Sequence, residues 1–333
     1  MTDPGRGDLI GHRLLFVTGK GGVGKTTIAA ALAVHAASVG KRVLVCEVDA
    51  KGTLAAAFEA GPLRFEPQPV HPGVQAMAMN TEDSLREYLR LFVRVPLVAR
   101  LGPLARTFDF VADAAPGVKE ILTVGKVCYE VREQHYDLVV VDAAASGHIA
   151  GQLSAPWAIN DLVQVGLVRE QTKWMTEILA DPAQTGVVVV TTAEELPVIE
   201  TLELLDRLGA TVPVRVASVV VNRVLPELFT HDDEAVFVGL REPAAVDALA
   251  RQLAGARRGG RRAVVQDVSR VLEAAALAVA LRRERAANLE LLQQRLPPGP
   301  TSPGLVLVPE QFARSHGKRA VMQVAAALGE ELG

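Results

Sequence analysis

Short apolar runs alternate with longer stretches of helical periodicity along most of the chain. Nearly continuous apolar runs are typical of parallel strands that are buried on both faces. The runs predict seven strands: Leu14–Thr18, Arg42–Val48, Val74–Met79, Leu138–Asp142, Val187–Thr191, Val216–Val221 and Leu305–Val308. Since helical stretches separate these strands, we predict an α/β fold whose mostly parallel central sheet is flanked by helices.

Two stretches have helical periodicity without an obvious strand. In the first, Leu85, Leu89 and Phe92 are spaced to lie on one helix face, and in the second Val268 and Leu272 have the same spacing. We therefore predict a helical subdomain inserted into a sheet-containing domain. The sheet-containing domain comprises 1–80, 136–230 and 298–333, and the helical subdomain comprises 81–135 and 231–297.

Composition and charge narrow the classes of function. The 333 residues are 49% apolar, carry a net charge of -3 and have a sequence pI of about 6.2. A nucleic-acid-binding surface would be more basic, so we expect no nucleic-acid partner. The apolar runs are far shorter than the ~20 residues of a membrane-spanning helix, and no signal peptide is evident. Two cysteines far apart, Cys46 and Cys128, fit a reducing compartment. We expect a cytoplasmic protein without an integral membrane segment, and peripheral membrane contact stays open.

The first predicted strand runs directly into a phosphate-binding loop. The motif G-x-x-x-x-G-K-[ST] is complete, and Thr27 follows it at the start of the predicted helix Thr27–Ser38. Its residues are Gly19, Lys20, Gly21, Gly22, Val23, Gly24, Lys25 and Thr26. Glycines let the backbone present N–H groups to phosphate oxygens, and the helix N-terminus adds positive charge. Lys25 is expected on the β- and γ-phosphates of ATP, and the Thr26 hydroxyl on Mg²⁺.

Two aspartates stand at the ends of predicted strands. Asp49 follows the second strand and Asp142 ends the fourth. Carboxylates just beyond parallel strands face the ligand crevice of such sheets. Asp49 is the candidate that orients the attacking water, and Asp142 the candidate that holds Mg²⁺, directly or through water. A helix cap or turn remains the alternative for each.

Lys20 is not required by an ordinary phosphate loop. The run Gly-Lys-Gly-Gly-Val-Gly-Lys-Thr-Thr resembles the deviant loop of dimeric ATPases that include nitrogenase iron protein, the Min and Par ATPases and the arsenite-pump ATPases. The resemblance implies that Lys20 crosses a dimer interface to the partner's nucleotide, as a third catalytic residue beside Lys25 and Asp49. A solvated lysine without such a role is the alternative.

Further stretches narrow the resemblance to the arsenite-pump ATPase (ArsA) family, which includes ATPases that deliver tail-anchored membrane proteins. The run Asp142-Ala143-Ala144-Ala145-Ser146-Gly147-His148, with Leu153 and Pro156 after it, is similar to the family's Asp-Thr-Ala-Pro-Thr-Gly-His…Leu…Pro. The resemblance implies adenine contacts at Asn222 and Pro309, although Asn222 is also a suitable turn residue. The chain looks most similar to one member of the paired ArsA-like ATPases of actinobacteria, which implies a related second subunit.

The sequence departs from the family pattern at both switches. The family's first switch usually reads Asp-Pro-Ala-His-Asn-Leu, whereas residues 49–54 read Asp-Ala-Lys-Gly-Thr-Leu. Ala143 and Ala145 replace threonine and proline in the second switch. The zinc-binding CxxC of eukaryotic targeting ATPases is missing from the sequence, so we expect no zinc, and the arsenite-capturing cysteines have no counterpart.

We therefore expect a P-loop ATPase that hydrolyses ATP with Mg²⁺ and acts as a dimeric switch. The dimer would be a homodimer or a heterodimer with a paralogous ATPase, and nucleotide state would control a helical region that binds an apolar protein client. Two alternatives stay open: a nucleotide-binding regulatory subunit with little turnover of its own, and a Min/Par-type positioning ATPase.

Overall fold

The architecture is that of a computed structural model. It describes residues 9–48, 51–93, 117–162, 166–227, 230–254, 261–297, 299, 302–311 and 317–332. Within them lie eight strands: β1 (Leu14–Gly19), β2 (Val43–Glu47), β3 (Gln68–His71), β4 (Val74–Ala78), β5 (Leu138–Asp142), β6 (Thr185–Thr192), β7 (Val216–Val224) and β8 (Gly304–Pro309).

Eleven α-helices lie in the same described ranges. They are α1 (Lys25–Ser38), α2 (Thr53–Phe58), α3 (Thr81–Tyr88), α4 (Val118–Arg132), α5 (Ile149–Leu162), α6 (Leu167–Ala180), α7 (Glu195–Thr211), α8 (His231–Leu240), α9 (Pro243–Ala254), α10 (Arg261–Arg295) and α11 (Lys318–Leu332). A single π-helical segment, Leu89–Val93, continues α3.

The eight strands form one sheet in the order β3-β4-β2-β5-β1-β6-β7-β8. Every neighbouring pair is parallel except β3 with β4. This confirms the predicted α/β class with its mostly parallel sheet. All seven predicted strands are present, and the largest shift is at β7, which continues from Val221 to Val224.

The edge strand β3 was not among the predicted strands. This strand has only four residues, none of them fully buried, and it contains Pro69. An edge strand needs no continuous apolar run and tolerates a proline, so the pattern used to find buried strands could not detect it.

Helices cover both faces of the sheet. On one face α1 and α11 pack together, and α1 contributes the buried residues Ala29 to Ala33, all of them alanine except Leu32. On the other face α4, α5, α6 and α7 pack over the strands, so Val124 and Val127 of α4 join the sheet core. The division into a sheet-containing domain and an inserted helical subdomain stays a prediction.

The longest helix, α10, connects two separate apolar clusters. Near its C-terminal end, Leu292 is fully buried in the sheet core. Near its N-terminal end, Val264, Val268 and Leu272 pack with Ala250 of α9 in a cluster of their own. None of the helices in the described ranges is both long and apolar enough to cross a membrane.

Candidate nucleotide site

The site lies where three neighbouring strands end. β1 is flanked by β5, and β5 by β2, and all three are parallel. Their carboxyl ends therefore lie side by side at one edge of the sheet, which is where open α/β sheets bind ligands. The phosphate loop leaves β1, the first switch leaves β2, and the second switch leaves β5.

Glycines are required at several points of the phosphate loop. Gly22 and Gly24 have φ values of 88° and 96°, in the left-handed region that favours glycine. At Gly19 a Cβ atom would lie 2.1 Å from the carbonyl oxygen of Val190, so β6 leaves no room for a side chain. The loop then enters α1 at Lys25, with the helix N-terminus directed at the loop, as an anion-binding site requires.

Lys25 lies over its own loop. Its Nζ donates a hydrogen bond to the carbonyl oxygen of Lys20 at 3.0 Å. This places the ammonium inside the curve of backbone that runs from Gly19 to Gly24. A cation held there is suited to the phosphates of a nucleotide bound by the same chain.

Thr26 and Asp142 meet at the opening of the loop. The Thr26 hydroxyl donates a hydrogen bond to Asp142 Oδ2 at 2.6 Å, and Asp142 is only 7% exposed. A hydroxyl and a carboxylate are hard oxygen donors of the kind that Mg²⁺ prefers. The two side chains therefore fit the role of magnesium ligands that the sequence analysis assigned to them.

The first switch is held by a buried carboxylate at the end of β2 that was not predicted from the sequence. Glu47, 2% exposed, accepts hydrogen bonds at Oε1 from the backbone N–H and the hydroxyl of Thr53, at 2.8 and 2.7 Å, and from the N–H of Leu54 at 3.2 Å. These contacts fix the start of α2. The signal in the sequence that could have identified Glu47 is an acidic residue at the end of an otherwise apolar strand. The proposed catalytic Asp49 lies outside the described residues.

The second switch is hydrogen-bonded to the phosphate loop and to the strand that leads into it. The Thr18 hydroxyl donates to the carbonyl oxygen of Ala144 at 2.8 Å, and the Ser146 N–H donates to the carbonyl oxygen of Gly19 at 3.1 Å. Movement of residues 144–146 would therefore disturb the backbone at the entrance of the loop.

Asn222 contacts the phosphate loop directly. Its Nδ2 donates to the carbonyl oxygen of Val23 at 2.9 Å, and a Cβ on Gly24 would lie 2.4 Å from that nitrogen. Pro309, at the end of β8, lies at the same edge because β8 pairs with β7 there. Their contacts with adenine stay a prediction.

Lys20 differs from Lys25 in its direction. Its Nζ forms an ion pair with the carboxylate of Glu200 on α7. The side chain thus leaves its own loop and is 40% exposed. Lys20 was predicted to be a site residue from its motif, but Glu200 is 180 positions away, so sequence spacing does not reveal their contact.

Comparison with known proteins gives the family. The family model for anion-transporting ATPases (ArsA ATPases) matches residues 12–169 and 160–242, which is more than half of the chain. The chain belongs to the ArsA family. ATPase BagA of Mycobacterium tuberculosis is 36% identical over 238 residues, covering 68% of this chain and 69% of that protein.

More distant ArsA-like relatives match as well. A putative arsenical pump-driving ATPase of Aquifex aeolicus is 28% identical over 247 residues, covering 65% of this chain and 81% of its own. The ATPase get3 of Schizosaccharomyces japonicus is 32% identical over 150 residues, or 44% of each chain. The resemblance found in the sequence is therefore confirmed, and membership of the ArsA family supports ATP binding and hydrolysis at the level of the family.

This ArsA family member has an apolar cavity among its helices. The cavity, of about 200 Å³, lies between α3, α4, α5 and α6. Apolar side chains on its walls include Leu85, Leu91, Leu122, Ile159 and Met175. Leu85 of the predicted stripe thus borders the cavity, whereas the side chain of Phe92 lies outside the described part. In the second stretch, Val268 and Leu272 are buried against α9.

A buried charge cluster stands beside this cavity. Lys126, whose side chain is 6% exposed, pairs with Glu130 at 2.7 Å and with Glu87 at 2.9 Å. Glu130 also contacts His135 Nδ1 at 2.7 Å. These ion pairs raise the pKa of Lys126 against the opposing effect of its burial, which is the largest single influence. The lysine stays charged at neutral pH and joins α3 to α4.

Proposed function

We propose that this chain is a Mg²⁺-dependent ATPase that acts as a dimeric switch. One observation carries the proposal: the two lysines of the phosphate loop point to different places. Lys25 lies over its own loop, whereas Lys20 leaves it for the exposed surface at α7. One cation is thus placed for the chain's own nucleotide, and the other is available to a nucleotide outside it.

Catalysis would rest on position and charge. Lys25 and the loop N–H groups neutralise and align the phosphates, and Asp49 orients the water for in-line attack. Mg²⁺ held by Thr26 and Asp142 would neutralise charge on the phosphate oxygens. A cation supplied from a second subunit is worth roughly 10³–10⁵ in rate in related phosphoryl transfers. Dimerisation would therefore switch hydrolysis on.

Lys20→Ala tests the dimer. Two nucleotides that face each other repel, and a lysine from each subunit offsets that charge. Sedimentation with a slowly hydrolysed ATP analogue should show weaker association for Lys20→Ala than for the wild type. Lys173→Ala, which removes an exposed lysine from α6, is the matched control. Equal association of Lys20→Ala and the wild type contradicts the crossing lysine.

The partner of the switch would be an apolar protein segment. The cavity beside Leu85 and Met175 supports this, because its walls are mainly apolar and it lies on helices that nucleotide chemistry does not need. Hydrogen exchange of 81–135 and 231–297, with and without ATP, measures the coupling. Equal protection in both states, with no binding of an apolar helical peptide, would leave these helices a structural role only.

The altered switches favour one competing function, a regulatory subunit with little turnover of its own. Steady-state turnover of the purified chain, alone and with a paralogous ATPase, separates the two. Hydrolysis that occurs only in the mixture would establish the regulatory subunit, provided that it is unaffected by Lys25→Ala in this chain and is abolished by replacing the corresponding loop lysine of the paralogue with alanine.

A further inference from the structure

Lys20 is held by a carboxylate that the proposed reaction does not use. Glu200 lies on α7, and its side chain is 34% exposed, against 40% for Lys20. The pair is therefore accessible to solvent and can open without unfolding the helix. Exposed ion pairs are worth only about 0.2–1 kcal/mol, so a stronger anion can displace the carboxylate.

The fold fixes the position of Glu200. β6 is the parallel neighbour of β1, so α7 and the phosphate loop both leave the sheet at the same edge. Val198 and Thr201, on either side of Glu200, are 0% and 4% exposed and hold this turn of α7 on the protein core. Glu200 is consequently presented to the loop by packing that does not depend on Lys20.

Glu200 and the phosphates of a nucleotide are both anions that can pair with the Lys20 cation. Lys20 thus has two competing anionic partners: Glu200 of its own chain and a nucleotide beyond its own loop. The outcome of this competition decides whether Lys20 is free to act in a second subunit.

The surface next to the pair is suited to a second copy of this chain. Leu196 and Ile199, on the turns of α7 that lead to Glu200, are 64% and 40% exposed. Apolar side chains beside a cation that is expected to leave its subunit would be covered when two such subunits meet. The ion pair then lies at the border between the two chains.

We propose that Glu200 is a positioning residue for Lys20. It holds the lysine on its own subunit until a second copy of the chain brings bound nucleotide to the interface, and it then gives the lysine up to those phosphates. This inference rests on the proposed dimeric function. It predicts that the carboxylate opposes dimerisation, since two Lys20–Glu200 pairs must open for each dimer formed.

Glu200→Gln tests the proposal directly. Sedimentation velocity of the full chain with Mg²⁺ and a slowly hydrolysed ATP analogue gives the dimer dissociation constant. In the Glu200→Gln variant the two Lys20–Glu200 ion pairs no longer have to open when a dimer forms. The dimer dissociation constant should therefore fall by about two- to thirty-fold. The protein concentration at which ATP turnover reaches half its maximum should fall with it. Glu200→Asp keeps the charge but shortens the side chain by one methylene. It should therefore lower the dissociation constant by a smaller factor.

Two controls separate positioning from a general charge effect. Glu203→Gln removes an exposed carboxylate from the same helix and should leave the constant unchanged. In a Lys20→Ala background, Glu200→Gln should have no effect, because the lysine that Glu200 restrains is gone.

Two outcomes overturn the positioning role but leave the dimer intact. One is an unchanged dissociation constant for Glu200→Gln, and the other is an equal fall in that constant when Lys20 has been replaced. A wild-type chain that stays monomeric with the analogue, both alone and mixed with a paralogous ATPase, overturns the dimeric function as well.

Discussion

The Thr26 hydroxyl donates a hydrogen bond to Asp142 Oδ2 at 2.6 Å, across 116 positions of sequence. Thr26 lies in the first turn of α1 and Asp142 ends β5, so the fold brings together two oxygen groups that suit Mg²⁺. The contact joins the phosphate loop to the second switch, and these two side chains are the ones that would hold the metal.

Asp142→Asn should weaken the response to Mg²⁺. The amide keeps the size of the carboxylate but loses its charge, and disturbing groups around a metal typically costs about 10- to 100-fold in metal affinity. The measurement is turnover against Mg²⁺ concentration, which should require a correspondingly higher concentration for half-maximal rate. Asp206→Asn, an exposed change on α7, is the control. An unchanged magnesium dependence would remove Asp142 from the metal site.

Lys25→Ala should abolish ATP binding or turnover. The ammonium is a point charge placed over the loop, and Lys20 points elsewhere, so no side chain on the loop replaces it. Calorimetry and a turnover assay on one preparation test this, with Lys173→Ala as the control. Affinity and turnover both close to wild type would contradict the assignment.

Asp49→Asn should separate binding from hydrolysis. The carboxylate is expected to act on water and not on the bound phosphates, so ATP affinity should stay near that of the wild type. General base catalysis commonly contributes about 10²–10⁴-fold in rate, and turnover should fall on this scale. Wild-type turnover would exclude Asp49 from the mechanism.

Glu47→Gln should destabilise the first switch. The buried carboxylate accepts from Thr53 and Leu54, and replacing it by a neutral amide weakens charge-assisted hydrogen bonds. We expect a loss of about 1–3 kcal/mol in the free energy of unfolding, measured in urea. Glu66→Gln, at an exposed carboxylate, should be neutral. Equal stability of the two variants would show that α2 does not depend on this cap.

Both thiols should be unreactive in the folded protein. Cys46 and Cys128 are fully buried, and burial raises the pKa of each thiol well above its usual range. The reactive thiolate is therefore scarce at neutral pH. Alkylation should follow the rate of unfolding across urea concentrations. Rapid labelling of either cysteine in native buffer would contradict the burial of that side chain.

The sheet and the phosphate loop could be predicted because their signals are local. Continuous apolar runs identify buried strands, and the loop motif is a single stretch that ends in Lys25 and Thr26. Contacts between distant segments could not be predicted this way. Glu200 has no motif of its own, and its role depends on β6 lying beside β1. Glu47 lies in β2, as the strand prediction has it, but nothing in its spacing shows that its side chain also caps α2.

The long helix α10 has a mechanical consequence. Its 35 residues contain no proline or glycine, so it forms a rod of about 52 Å that has no built-in point of bending. Near one end Leu292 is set in the sheet core, and Asn288 Nδ2 donates to the carbonyl oxygen of Ala193, just before α7, at 3.2 Å. A tilt of α7 would therefore move α10 as a lever. If the end of α10 near α7 moved by a few tenths of an ångström, the opposite end, at Val264 and the helices packed on it, would move several times as far.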